Sequence, residues 1–171
     1  MTSEMQQLYQ QLILDHAREQ RGRGDIDPYD AESYQFNPVC GDEVRLRVRL
    51  EHPAGGGRPV IAEVGWEGEG CSISQASVSV LCDLVEGRDT AEVDSLQEMF
   101  HELMGARGQG IDPAKEERLG DAAAFTGVAR YPARIKCALL SWVALRDAVA
   151  RAVTGEGTPP ATTSSPTQED A

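Results

Sequence analysis

The residues of this chain best able to do chemistry are four cysteines and one aspartate. Cys40 and Asp42 stand two residues apart in "NPVCGDEV", Asn37 to Val44. Pro38 fixes its own φ there, and Gly41 can take backbone angles closed to other residues. Such a turn aims a thiol and a carboxylate at a common point. Cys71 follows the turn made by Gly68 and Gly70 and sits at the start of a helical pattern, where unpaired N–H groups and the positive end of the dipole favour a thiolate. Cys137 falls in the first turns of a later helix, with Arg134 three residues before it on the same face and Lys136 beside it. Three cysteines and one carboxylate form a donor set that a tetrahedral zinc accepts, at about 2.3 Å from sulfur and about 2.0 Å from oxygen. The ligands would carry more negative charge than the ion offsets, so a buried site needs help, for which Arg134, Lys136 and the helix start at Cys71 are placed. A carboxylate in place of a histidine points to a site built for ligand exchange rather than a closed structural one. The residues also admit a plainer reading. A Cys-x-Asp turn is commonly turn chemistry alone, and spacings of 31 and 66 residues from Cys40 to Cys71 to Cys137 lack the compact Cys-x-x-Cys pairs of a strong zinc signal.

Cys82 lies 11 residues along the same helix from Cys71, roughly 16 Å away, so one ion cannot bind both. It reads as a packed or partly exposed free thiol. His16, His52 and His101 are each isolated in sequence and read as structural or solvated, and Asp112 in "IDPAKEE" reads as a helix cap.

These groups must be positioned by a modest set of elements. Met5, Leu8, Leu12 and Ile13 recur at helical spacing, which predicts an opening amphipathic helix to about Gln20. Val44, Leu46, Val48 and Leu50 alternate with Arg45, Arg47 and Arg49, so a strand there has one apolar and one basic face. Val60 to Trp66 supplies a second strand, antiparallel to the first across a short connection, and Glu32 to Phe36 a third. A helix from Ser72 to Glu86 carries Ile73, Ala76, Val80 and Leu84 on one stripe, and another ends near Met104. The stretch "ARGQGIDPAKEERLGD" reads as polar and turn-rich. A long helix runs from Pro132 to about Val153. Strands first and then mostly helices predict an α+β fold, a small antiparallel sheet of about three strands covered by helices. One domain spans 1–153, and the Pro-, Thr- and Ser-rich segment 154–171 is expected to be disordered.

Bulk properties narrow the function. A chain of 171 residues with 40% hydrophobic content can bury an ordinary core without disulfides. Lys and Arg number 16 against 28 Asp and Glu, a net charge of -12, so nucleic acid and anionic membranes are not expected partners. The N-terminus lacks the basic and uninterrupted apolar regions of a signal peptide, and the longest apolar run, Cys137 to Leu145, is too short to cross a bilayer. A cytoplasmic protein is expected, in which spaced cysteines serve metals or thiol chemistry rather than disulfides.

With the cysteine turns in view, the sequence closely resembles the SufU family of iron-sulfur cluster assembly proteins, related to the IscU scaffold. "NPVCGDEV", "GEGCSISQASVSVLCDLVEG" and "GVARYPARIKCALLSWVAL" look like three family signatures in the family's order and spacing. Two details resemble SufU rather than IscU: the long segment between Cys71 and Cys137, with its extra "RGQGIDPAKEERLGD", and Lys136 where IscU proteins carry a histidine. The resemblance implies a zinc-dependent sulfurtransferase that activates a SufS-type cysteine desulfurase, a pyridoxal phosphate enzyme, and accepts its persulfide sulfur for a downstream acceptor of the SUF scaffold. By position it makes Cys40, Asp42, Cys71 and Cys137 the zinc ligands, Cys40 the sulfur acceptor and Arg134 a catalytic-site residue supporting the ligands. A histidine of the desulfurase would take over a zinc position and free Cys40 to attack the persulfide. The alternative that the resemblance leaves is a scaffold assembling an iron-sulfur cluster on Cys40, Cys71 and Cys137. The opening helix departs from the pattern, since "ILDHAREQRGRG" lacks the aromatic residue and proline usual after the histidine. Cys82 is not typical of the family either.

Overall fold

The computed structural model describes residues 2–156. The chain begins with α1 (Ser3–Glu19), continues through three strands, β1 (Ala31–Asn37), β2 (Asp42–Glu51) and β3 (Val60–Glu69), and then turns helical. The helices are α2 (Ser72–Val85), α3 (Thr90–Gly105), α4 (Pro113–Leu119) and α5 (Pro132–Thr154), with a 3-10 segment from Gly120 to Arg130 before α5. The strands form one antiparallel sheet in the order β1-β2-β3. This is the α+β architecture that strands first and then mostly helices predict.

Burial along β2 alternates strictly: Val44, Leu46, Val48 and Leu50 face the core, while Arg45, Arg47 and Arg49 face outward. The outward row is less basic in the fold than in the sequence, because Arg45 pairs with Asp25 at 2.8 Å, Arg47 with Glu32 at 2.6 Å and Arg49 with Glu63 at 3.3 Å. Helix α5 packs across β1 and β2 and against α2, while α1 lies on α2 and the 3-10 segment. Aromatic rings fill the helical side of the core: Phe100 stacks on Trp142 with centroids 4.2 Å apart, and Phe125 meets Phe100 edge-on at 5.7 Å.

The stretch from Ala106 to Asp121, polar and turn-rich in sequence, is more ordered than that. Asp112 caps α4 by accepting from the Ala114 N–H at 2.8 Å, as expected, and Pro113 occupies the first turn. Beyond it, Ala122 to Thr126 are all buried in the 3-10 segment. The part from Ala122 to Phe125 is continuously apolar and so has no helical period to betray it, and packing against α3 and α1 decides its shape. Among the described residues, no helix is long and apolar enough to cross a membrane. Helix α5 closes at Thr154 with Gly155 left-handed at φ 77°, and the segment expected to be disordered lies, after Glu156, outside the described residues.

Candidate metal centre

The turn between β1 and β2 is built by its own sequence. The Asn37 carbonyl accepts from the Gly41 N–H at 2.8 Å, the Asn37 side chain accepts from the Val39 N–H at 3.1 Å, and Gly41 takes φ 73°. Cys40 therefore sits exposed at the tip of a closed hairpin. Asp42, two residues on, begins β2 with the same parity as Val44, Leu46, Val48 and Leu50, so its carboxylate points to the core side and is completely buried. That parity was present in the sequence, and it is the signal that separates Asp42 from an ordinary turn aspartate.

Cys137 comes from the second turn of α5 and is buried, with its Sγ 3.3 Å from the Cys40 Sγ. Ligand atoms of Cys40, Asp42 and Cys137 all lie within 4.8 Å of one another. Burial, with the Asp42 carboxylate and the Cys40 thiol beside it, pushes the Cys137 thiol far up from its ordinary pKa, so without a cation it stays protonated.

Cys71 is the fourth expected ligand, and its thiol stands outside that group of three. It is the N-cap residue of α2, exposed, with no side-chain capping bond. Its backbone nonetheless reaches the site: the Cys71 N–H donates to Asp42 Oδ1 at 2.9 Å. The carboxylate thus rests against the N-terminus of a 14-residue helix, the electrostatic support foreseen there. Ser74, also close to Asp42 Oδ1, was not singled out from the sequence; the available signal was a hydroxyl three residues into the helix that Cys71 opens. Asp42 Oδ2 is buried and has no hydrogen-bond partner among the described residues. A buried orphan oxygen beside two thiols is costly in a protein without a cation and well matched to one that holds a divalent ion.

Arg134 and Lys136 are exposed on the first turns of α5. The Arg134 guanidinium lies 5.0 Å from the centroid of the Tyr131 ring and lines a groove of about 380 Å³ shared with Tyr9, Ile13, Ile73 and Val128, rather than bonding to the cysteine group. Cys82 is buried, separate from the group of three, and His16 is bonded on both ring nitrogens within the core.

The model of the NifU-like N-terminal domain family matches residues 8–138. The chain belongs to that family. It is 38% identical over 144 residues to the zinc-dependent sulfurtransferase SufU of Bacillus subtilis, covering 84% of this chain and 90% of that protein. It is 32% identical to the iron-sulfur cluster assembly scaffold protein IscU of Streptococcus pyogenes, over 90% of each. Among solved structures, an iron-sulfur cluster assembly scaffold protein for the SUF system from Fervidobacterium islandicum superposes with a TM-score of 0.68 at 30% identity, covering 85% of this chain and 98% of that one. The three-stranded sheet with its covering helices is thus the fold of this NifU-like family.

Proposed function

We propose that this protein is a zinc-dependent sulfur carrier of iron-sulfur cluster assembly, which stimulates a SufS-type cysteine desulfurase, accepts its persulfide sulfur on Cys40 and hands it to an acceptor of the SUF scaffold in the cytoplasm. The observation that carries the reading is the Asp42 carboxylate, completely buried, with one oxygen unpartnered among the described residues, in a group with the thiols of Cys40 and Cys137. The likeness to a named zinc-dependent sulfurtransferase supports it. Cys40, Asp42, Cys71 and Cys137 would hold the ion, with Cys71 supplied from the exposed start of α2. Zinc, when bound, keeps coordinated thiols deprotonated at neutral pH and shields them from oxidation.

The chain's own residues supply the rest. The closed Asn37–Gly41 turn presents Cys40 to solvent, where a partner's persulfide can reach it. The Cys40 thiolate attacks the outer sulfur, the sulfur–sulfur bond of the donor breaks, and the donor cysteine leaves as a thiolate while Cys40 becomes the persulfide. No net oxidation occurs. Arg134, exposed in the first turn of α5, the helix that also carries Cys137, offers a cation to the incoming persulfide or to the partner's surface. Pyridoxal phosphate belongs to the desulfurase.

A second reading, favoured by the IscU relative, is a scaffold that builds an iron-sulfur cluster on Cys40, Cys71 and Cys137. Anaerobically purified protein analysed for metal and acid-labile sulfide separates the two: a single zinc without sulfide supports the carrier, and iron with matching sulfide supports the scaffold. Cys40→Ala is then expected to abolish stimulation of the desulfurase while leaving the fold intact. Full stimulation by that variant would sink the carrier reading.

A further inference from the structure

We infer that Ser74 is a positioning residue for the metal centre: together with the Cys71 amide it clamps one oxygen of Asp42 and presents the other alone to the ion. The inference rests on the metal-binding reading above and goes beyond it, since Ser74 would act on the ion only through the residues that hold it.

Asp42 Oδ1 accepts from the Cys71 N–H at 2.9 Å and from the Ser74 hydroxyl at 3.3 Å, while Oδ2 has no hydrogen-bond partner among the described residues. The two oxygens of one buried carboxylate are therefore unequal. Ser74 Oγ also lies 3.0 Å from the Cys71 carbonyl, and the Cys71 Sγ is 3.9 Å from Ser74 Oγ. The single hydroxyl proton thus has two acceptors, and an ionised carboxylate is the stronger of them. Ser74 is itself buried, so no solvent competes for that proton. Gly70 completes the arrangement: a Cβ there would lie 2.6 Å from Asp42 Oδ1 and would also collide with Ser74 Oγ. Only a residue without a side chain lets the hydroxyl and carboxylate meet beneath the turn.

Two consequences follow from the asymmetry. With Oδ1 engaged, Asp42 would offer an ion one oxygen, leaving Cys40, Cys71 and Cys137 as the other residues that would hold it. The clamp also holds the carboxylate in one orientation before an ion arrives, so binding does not have to fix a freely turning group. A plainer account of Ser74 is available, in which its hydroxyl merely bonds the carbonyl of the N-cap residue in the first turn of α2. That account predicts no dependence on the kind of metal.

The test uses this dependence. Zn²⁺ and Cd²⁺ affinities of the metal-free wild type, Ser74→Ala, Ser74→Thr and Gly70→Ala are measured by competition with a chromophoric chelator, and thermal unfolding of each metal-free form reports the fold. Cadmium, the softer ion, is held chiefly by the thiolates, whereas zinc draws more on oxygen. Ser74→Ala is expected to weaken Zn²⁺ by about 10–100-fold, the usual cost of removing a partner behind a ligand, and Cd²⁺ by less than about threefold. Ser74→Thr, which keeps the hydroxyl, should restore most of the zinc affinity, and Gly70→Ala, which displaces the clamp without deleting it, should repeat the zinc-selective loss. Unchanged zinc binding in Ser74→Ala, or equal losses for both metals, would overturn the inference while leaving the metal site standing. A wild type that binds no zinc would overturn both, and it shows before any variant is made.

Discussion

At the scale of single residues, two buried thiols have opposite destinies. Cys137 is packed against Cys40 and Asp42, so its neutral state is provisional. Cys82 is packed against Gly22, where a Cβ would come within 2.7 Å of its sulfur, and burial, with Glu86 and Asp83 adding to it, pushes its thiol far up from the ordinary value. In metal-free native protein, a maleimide is expected to label Cys40 and Cys71 quickly and Cys82 only after unfolding, which peptide mapping by mass spectrometry would read. Rapid labelling of Cys82 in the folded state would contradict its burial. The sign of the pH effect follows: because the folded pKa lies above the unfolded one of about 8.5, the stabilisation from Cys82 is complete below that pH and is lost as pH rises above it. Denaturant midpoints of wild type and Cys82→Ala should therefore converge on the alkaline side. Helical rise alone removed Cys82 from the ligand set in sequence. What sequence could not give was Ser74, whose meaning depends on a carboxylate 32 residues earlier in the chain.

At the scale of elements, the strands were legible because a half-covered sheet writes its two faces into alternate residues, and most helices because an apolar stripe recurs at their own period. The bonds between elements were not. His16 looked isolated, yet its Nδ1 is 2.9 Å from Ser79 Oγ on α2 and its Nε2 is 2.9 Å from Asp121 Oδ2 on the 3-10 segment. Its partners lie 63 and 105 residues away, beyond anything local spacing can express. Ser79 Oγ also accepts from the Arg21 N–H at 3.0 Å, so one hydroxyl helps tie the end of α1 to α2. His16→Ala leaves a cavity and removes both bonds, with an expected cost of roughly 2–3 kcal/mol in denaturant unfolding. Amide exchange in α1 should rise more than in the sheet. A cost near zero would mean that the histidine fills space without holding the helices together.

At the scale of the whole molecule, the cysteine group sits at the margin of a core that does not depend on it. Phe100, Phe125, Trp142 and Trp66 are buried among aliphatic residues from every main element. Zinc is therefore expected to stabilise a fold that already exists: chelation should leave the far-ultraviolet dichroism unchanged, while saturation at about 100 times the dissociation constant adds about 2.7 kcal/mol and raises the melting temperature by about 5–10 °C. Loss of the dichroism on chelation would instead mark the ion as a folding staple. The sequence made the size and class of this core readable from composition and periodicity. It did not reveal the run from Ala122 to Phe125, buried without any polar interruption, because such a run looks alike in every conformation.

Cys40 stands at the surface on the tip of its hairpin, whereas Cys137 is sealed behind it in α5. Of the grouped residues Cys40, Asp42 and Cys137, only Cys40 is open to solvent. A sulfur atom carried on Cys40 must come in and go out through the same opening, so the protein that delivers it and the protein that collects it compete for one berth. Under the proposed function the carrier cannot be a bridge that holds both at once; it has to let go of the first before it can serve the second.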